Sequence, residues 1–248
     1  MSNLKAVILA AGKGTRMKSE LPKVVHTIDG KCLADYVIEA AKGAGVQEVC
    51  LVVGYEKDKV QEMIADQDVI YMEQAQQLGT GHAVKCAKEF LADGDGQTMI
   101  LFGDTPLITK ETLDCLHEYH TNAGNTVTVL SAYMEDATGY GRIIRDGAGE
   151  FLKSVEHKDA TDDERESHEV NSGMYLYETK DLCEALELLK NHNAQGEYYL
   201  PDTLEIIRKK GKKVDAFMIE SAEDITGVND LEQLEAAEAI IRRRKACI

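Results

Sequence analysis

The 248-residue chain has no apolar run approaching about 18 residues and no charged-then-apolar leader with a cleavage site. Nothing in it therefore reads as a membrane span or a secretory signal. It also lacks a Cys-x-x-Cys pair. Cys32, Cys50, Cys86, Cys115, Cys183 and Cys247 are widely spaced, and five of them fall in expected helices or strands. Reduced, buried thiols are expected rather than disulfides or a zinc site. Positive charge is scarce: the net charge of −16 argues against nucleic acid or an anionic membrane as partner. No internal repeat is visible, and in particular no hexapeptide run of the left-handed β-helix kind. Nothing implies an oligomer. The expectation is a soluble cytoplasmic protein, 44% hydrophobic, able to bury a core as one large or two small domains.

The stretch that stands out is Leu9-Ala10-Ala11-Gly12-Lys13-Gly14-Thr15-Arg16-Met17, followed by Lys18-Ser19-Glu20-Leu21-Pro22-Lys23. The apolar run Ala6-Val7-Ile8-Leu9 reads as a buried strand that empties into a glycine-bearing loop. Gly12 and Gly14 let backbone N–H groups approach a ligand, and Lys13, Arg16, Lys18 and Lys23 would neutralise phosphate charge. Residues 1–31 carry six Lys or Arg (Lys5, Lys13, Arg16, Lys18, Lys23, Lys31) against Glu20 and Asp29, a local +4 that leaves −20 for the remainder. A basic island in an acidic protein suits an anionic small ligand. Two familiar loops are excluded, because both the Walker A loop and the dinucleotide fingerprint need a glycine where Met17 stands. The longer string, Gly-x-Gly-Thr-Arg-Met, then Pro22-Lys23, resembles the signature of sugar-1-phosphate nucleotidyltransferases.

Hydrophobic patterning predicts strands at 4–10, 48–53, 68–72 and 98–102, alternating with helices at 32–44, 57–66, 80–92 and 109–121, the last started by Thr109. This rhythm implies an α/β fold with a mostly parallel, Rossmann-like sheet covered on both faces and ligands at the carboxyl ends of its strands. After about residue 124 the pattern turns β-rich, with strand-like segments at 126–134, 141–146, 150–156 and 170–177 and a hairpin turn at Asp146–Gly149. Lys158–Glu169 reads as an exposed, mobile charged loop. Helices are expected at 180–192 and 202–210, a strand at 214–219 and a last helix at 229–245. That helix ends in Arg242-Arg243-Arg244-Lys245, cations that suit its dipole or form a binding patch.

Joining a nucleoside triphosphate to a sugar phosphate demands positioning and charge neutralisation above all. It calls for cations on the phosphates and one or two oxygen side chains for Mg²⁺, which keeps much of its water. Asp104, just beyond the 98–102 strand, could hold a metal or cap a turn. Asn229 could be its partner or could cap the following helix. The loop Gln74 to Gly81 opens a helix, and the Gln74 amide could read uracil or, flipped, cytosine.

These pieces occur together and in order over essentially all 248 residues, along with Leu-Pro-Lys-Val, Gln-Leu-Gly-Thr-Gly-His-Ala, Gly-Asp-Thr-Pro-Leu, Thr-Gly-Tyr-Gly-Arg-Ile, Val-Glu-His-Lys-Asp-Ala-Thr, Val-Asn-Ser-Gly and Gly-Glu-Tyr-Tyr-Leu-Pro-Asp. The chain resembles the pyrophosphorylase (uridyltransferase) domain of the bifunctional N-acetylglucosamine-1-phosphate uridyltransferase/glucosamine-1-phosphate acetyltransferase family. The resemblance implies a nucleotide-diphospho-sugar transferase fold that makes UDP-N-acetylglucosamine and pyrophosphate from UTP and N-acetylglucosamine 1-phosphate with Mg²⁺. It implies catalytic roles for Arg16 on the triphosphate and Lys23 on the bridging phosphate. Nucleotide contacts would come from Leu9, Ala10, Ala11, Gly12, Gly14, Gln74, Gly79, Thr80 and Gly103, and sugar contacts from Gly141, Glu156 and Asn171. Asp104 and Asn229 would be the metal ligands. Residues 1–228 would form the transferase domain, with 1–124 its nucleotide part and 125–227 its sugar part, and 229–248 a C-terminal helix.

The sequence ends at Ile248 without the family's left-handed β-helix, so acetyl transfer is not expected of it. His117 and His120, three apart on a helix with Glu118, are expected on a solvated face rather than at a metal. His82 lies beside the expected base pocket, where the chemistry needs no proton carrier because the attacking phosphate is already ionised.

Overall fold

The computed structural model describes residues 3–65 and 68–246. In chain order the first part comprises β1 (Leu4–Ala10), the small hairpin β2 (Thr27–Ile28) and β3 (Lys31–Cys32), α1 (Leu33–Gly43), β4 (Glu48–Val53), α2 (Lys57–Met63), β5 (Val69–Glu73), α3 (Thr80–Cys86), β6 (Gln97–Phe102) and α4 (Lys110–Ala123). The second comprises β7 (Val127–Tyr133), β8 (Gly141–Arg145), β9 (Phe151–Val155), α5 (Asp162–Arg165), β10 (Glu169–Glu178), α6 (Thr179–Leu186), α7 (Asp202–Lys209), β11 (Val214–Ile219) and α8 (Leu231–Ala246).

One sheet runs through both parts in the order β11-β7-β10-β6-β1-β4-β5, with β8 and β9 attached beside β10. β1 pairs in parallel with β4 and β6, as do β4 with β5 and β7 with β11. β10 lies antiparallel between β6 and β7, so the sheet is mixed and mostly parallel, as expected. Every residue of β1 is buried because the strand is covered on both faces. Its alternate side chains divide between two cores. Ala6, Ile8 and Ala10 meet Val37, Ile38 and Leu113 of α1 and α4, whereas Val7 and Leu9 face the layer containing Val84, Leu182 and Leu204 of α3, α6 and α7. Each large side chain removed from water here contributes about 1.5–3 kcal/mol, which fixes the strand and the point where its loop begins.

β1 has β4 and β5 on one side and β6 on the other. The loops after β1 and β6 therefore diverge at the carboxyl edge and leave a crevice, the usual ligand position in such sheets. A third, smaller core seats α8: Ala237 and Ile241 pack with Ile28, Leu33, Leu107 and Val228.

Several sequence expectations are corrected. The helix expected at 80–92 ends at Cys86, after which Ala87 and Lys88 N–H groups bond three residues back in tighter turns. The helix expected at 180–192 likewise stops at Leu186. The helix expected at 57–66 ends at Met63, and its last expected residue lies outside the described residues. Within 158–169, α5 forms on a capping box in which Thr161 accepts from Glu164 N and the Glu164 carboxylate from Thr161 N. His120 is buried, its ring nitrogens against Thr128 Oγ1 and Glu178, while His117 Nε2 contacts Gln97; neither lies on a bare solvated face. Lys5 leaves the basic island: it is buried near the amino end of β1 and paired with Asp93 at 2.5 Å.

The cations ending α8 are neither a bare patch nor only dipole partners. Arg242 and Lys245 reach Asp29, Arg243 reaches Glu223, and Arg244 bonds Asp224 and Leu107 O, tying the helix to the body. Cys32, Cys50, Cys86, Cys115 and Cys183 are free, and Cys247 lies outside the described residues.

Candidate active site

The loop after β1 turns through a 3₁₀ segment at Thr15–Met17, anchored by the fully buried Met17. It then returns through a second at Lys23–Val25, where Val24 and Val25 are buried and Lys23 is aimed at the carboxyl edge. Gly14 makes that return possible, because a Cβ there would meet Lys23 Cβ at 2.6 Å. From β6, Gly103 N donates to Leu9 O at 2.9 Å, which keeps the ends of β6 and β1 together and sets Asp104 at the crevice.

Asn229 arrives from the far end of the chain. Val228 N donates to Asp104 O at 2.8 Å, fixing this segment against the turn after β6. The helix-capping role that competed for Asn229 falls to its neighbour: Asp230 Oδ1 accepts from Gln233 N, and Gln233 Oε1 accepts from Asn229 N. The Asn229 side chain is thereby released toward Lys23, whose Nζ donates to Asn229 Oδ1 at 3.0 Å and to the Asp104 carboxylate. The turn-capping alternative for Asp104 also gives way, since its carboxylate is spent on Lys23.

A carboxylate oxygen and an amide oxygen thus converge on one cationic group. Two hard oxygen donors around a point cation are a donor set suited to Mg²⁺. Among the described residues no group of three or more His, Cys, Asp or Glu could hold a metal, so most ligands of such an ion would be water and substrate oxygens.

A cleft opens beside this cluster, lined by Leu9 to Gly12, Lys23, Asp104, Gln74, Gly79 and Thr80. Gly79 holds φ +105°, and a Cβ there would lie 2.6 Å from Tyr198 O, so only glycine lets the loop pass under the 197–198 backbone. Gln74 is almost wholly buried; its Nε2 donates to Gly79 O at 3.1 Å and lies 3.0 Å from His82 Nδ1.

A second cleft contains Gly141, Glu156 and Asn171, and shares Thr80 and Phe102 with the first. Asn171 is set by an irregularity in β10, whose register against β7 shifts between Asn171 and Tyr175. Its Nδ2 donates to Ser154 Oγ and Tyr175 Oη, each at 2.9 Å, and its Oδ1 accepts from Gly173 N. Burial, together with the carboxylates of Asp159, Asp202 and Glu197, raises the Glu156 carboxyl above the usual range. Burial raises the Tyr140 phenol, and the Asp104 carboxylate pushes the same way, linking the second cleft to the cluster at Lys23.

Not every expected residue is gathered here. Gly14 and Gly103 support the cleft without lining it, and Arg16 lies exposed on the loop, away from the lining. Reading the sequence missed Gln77, Glu197 and Phe102 in the first cleft and Tyr140, Ser172, Gly173 and Tyr175 in the second. For Phe102 the available signal was its position beside Gly103 and Asp104 at the end of an apolar strand.

The nucleotidyl transferase family's sequence profile matches residues 5–240. The bifunctional protein GlmU of Clostridioides difficile (strain 630) is 51% identical over 242 residues, covering 98% of this chain and 52% of that protein. The protein of the same name from Caldanaerobacter subterraneus subsp. tengcongensis is 53% identical over 244 residues, covering 98% and 53%. The chain spans about half the length of these curated relatives. A UDP-glucose pyrophosphorylase solved with UDP-glucose superposes with a TM-score of 0.79 at 21% identity, over 97% of this chain and 98% of that one, and so shares the nucleotide-diphospho-sugar transferase fold. By its profile, its relatives and its fold, the chain belongs to the nucleotidyl transferase family.

Proposed function

We propose that the chain joins UTP to N-acetyl-α-D-glucosamine 1-phosphate, releasing pyrophosphate and forming UDP-N-acetylglucosamine for cell-wall precursors, in the cytoplasm and with Mg²⁺. The observation that carries this reading is the convergence of Lys23, Asp104 and Asn229 beside a cleft that adjoins a second one across Thr80 and Phe102. Two polyanionic substrates in neighbouring clefts would meet beside that cation. The relatives, 51–53% identical and about twice as long, carry the name of a bifunctional protein, and the proposed activity belongs to the half that this chain matches.

The ionised sugar phosphate supplies an oxygen that attacks the α-phosphorus in line. The bond from that phosphorus to the bridging oxygen breaks, and pyrophosphate departs with the electron pair. No general base is needed, since the attacking oxygen carries no proton. Lys23 would hold the α-phosphate and neutralise charge spreading over its oxygens. Arg16 would do the same for the departing pyrophosphate. The backbone from Leu9 to Gly12, with Gly14 and Gly103 behind it, would receive the nucleotide, and Gln74, Gly79 and Thr80 the base. Gly141, Glu156 and Asn171 would hold the sugar. Asp104 and Asn229 would hold Mg²⁺, which when bound offsets negative charge on the phosphates. On this reading 1–124 serves the nucleotide and 125–227 the sugar, within a transferase unit of 1–228. Among the described residues no helix is long and apolar enough to cross a membrane.

The test is pyrophosphate release by the purified chain with UTP, Mg²⁺ and N-acetylglucosamine 1-phosphate. Glucose 1-phosphate and dTTP serve as control substrates. Release confined to the first combination supports the reading. Release with a control combination alone would keep the chemistry and overturn the substrates.

A further inference from the structure

His82 does not line the nucleotide cleft, and the phosphoryl chemistry gives it no proton to carry. Its position nonetheless bears on the base. Gln74 Nε2 donates to Gly79 O at 3.1 Å and lies 3.0 Å from His82 Nδ1. A carbonyl oxygen only accepts, so the Gln74 atom facing Gly79 O is the amide nitrogen. The second amide proton then goes to His82 Nδ1, which must be the acceptor, with the imidazole proton on Nε2. Cys86 Sγ, one helical turn further along α3, is 3.9 Å from the same Nδ1, so the Gln74 amide is the closer donor.

With both amide protons occupied, Oε1 is the atom Gln74 has left to offer a ligand in the cleft it lines. Gly79 lines the same cleft, and its N–H donates to no acceptor among the described residues. An acceptor and a donor in one cleft match the ring N3–H and an adjoining carbonyl of uracil. Cytosine would set the bare lone pair of its N3 against Oε1. Either orientation of a glutamine could serve a pyrimidine in isolation; here Gly79 O and His82 Nδ1 hold one of the two.

We propose that His82 is a positioning residue that, through the Gln74 amide, makes this site select uracil over cytosine nucleotides. The proposal rests on the UTP reading above. His82 shares α3 with Thr80, so a rigid turn of helix connects the acceptor to the floor of the cleft.

The experiment compares kcat/KM for UTP and CTP, with N-acetylglucosamine 1-phosphate, in the unsubstituted chain, His82→Leu and His82→Asn. Removing one neutral hydrogen bond from the amide should cut the UTP-over-CTP ratio about fivefold to tenfold in His82→Leu. The loss should appear in KM for UTP, with kcat held. Asparagine can place an accepting Oδ1 where Nδ1 stands, so His82→Asn should restore most of the ratio. NMR of the imidazole nitrogens in the unsubstituted chain should show Nδ1 bare and Nε2 protonated, a readout that needs no variant to fold.

An unchanged ratio in His82→Leu overturns the proposal, as does a ratio in His82→Asn as low as in His82→Leu, or a proton found on Nδ1. These results leave the UTP reading standing when the unsubstituted chain still prefers UTP. An unsubstituted chain that turns over UTP and CTP alike overturns both.

Discussion

Lys23 Nζ donates to Asn229 Oδ1 across 3.0 Å, joining residues 206 positions apart, and the same ammonium meets the Asp104 carboxylate. The side chains of Lys23 and Asp104 are only 15% and 18% exposed, so little water screens the pair. A point cation already stands between the two oxygens proposed for Mg²⁺. Lysine and metal therefore compete for the same lone pairs, and a bound metal would leave the ammonium available to phosphate.

Lys23→Ala should act in opposite directions on two measurements. Turnover, followed by pyrophosphate release, should fall about 10²–10³-fold, the usual effect of removing a group that stabilises developing charge. Affinity of the substrate-free chain for Mg²⁺ or Mn²⁺, measured by calorimetry, should rise because the competing ammonium is gone. Weaker cation binding in the variant would contradict the convergence of Asp104 and Asn229 on one site.

Gly79→Ala should close the nucleotide cleft while leaving Lys23, Asp104 and Asn229 unsubstituted, although its Cβ would also meet Glu197 Cβ at 2.9 Å. The new Cβ would lie 2.6 Å from Tyr198 O and 2.9 Å from Tyr198 N, both backbone atoms that no rotamer change can move aside. At φ +105° an alanine is strained as well. Melting temperature should drop and KM for UTP should rise at least about tenfold, given a cost of about 1–3 kcal/mol for such a backbone conflict. Gly147→Ala, in a hairpin turn with open space around it, is the control and should leave KM unchanged.

How much of this was legible in the sequence differs from element to element. β1 and β4 were readable to the residue, because apolar runs broken only by Lys5 and Glu48 near their amino ends have little else they could be in a two-sided sheet. For Asp104 and Asn229 the local pattern left a metal role and a capping role both open, and only the resemblance chose the metal. The fold resolves Asn229 through Asp230, one residue later, which takes the cap instead. Lys5 shows the opposite failure. Charge counting placed it in the basic island, whereas strand direction places it near the end of β1 remote from the loop, where Asp93 meets it. His120 was misread because its partners, Thr128 and Glu178, come from β7 and β10, and a single-helix pattern carries no information about them.

The basic end of α8 separates strong from weak ion pairs. Arg244 is 29% exposed and bonds Asp224, a carboxylate that is only 10% exposed, as well as Leu107 O. Arg244→Ala removes the partner of Asp224 Oδ1 and of Leu107 O, leaving Thr112 on Asp224 Oδ2, and should cost about 1–3 kcal/mol. Arg243, 60% exposed on Glu223, should cost about 0–1 kcal/mol when truncated. Urea or thermal unfolding of the two variants should therefore give clearly unequal losses, although both remove one arginine from the same turn.

Glu156→Gln should stabilise the fold while damaging sugar binding, and pH separates the two effects. Burial and the carboxylates of Asp159, Asp202 and Glu197 raise the Glu156 carboxyl above its usual 4.5. Between 4.5 and that raised value the native chain holds a proton that the unfolded chain has released, so stability falls as pH rises through this window. Above it, the buried charge destabilises the native state in full. The neutral amide avoids that cost, so the variant's melting temperature should exceed the unsubstituted chain's at pH 7, by about 2–4 °C for each kcal/mol relieved. The advantage should shrink on acidification and vanish below the usual 4.5, where both side chains are uncharged in both states. KM for N-acetylglucosamine 1-phosphate should move the other way. In the unsubstituted chain it should rise as pH falls and the carboxylate gains its proton; in Glu156→Gln it should be high throughout and indifferent to that proton. A charge kept buried at the expense of stability is what a hydroxyl-binding acceptor in the sugar cleft requires, and a variant that melted no higher at pH 7 would remove that argument.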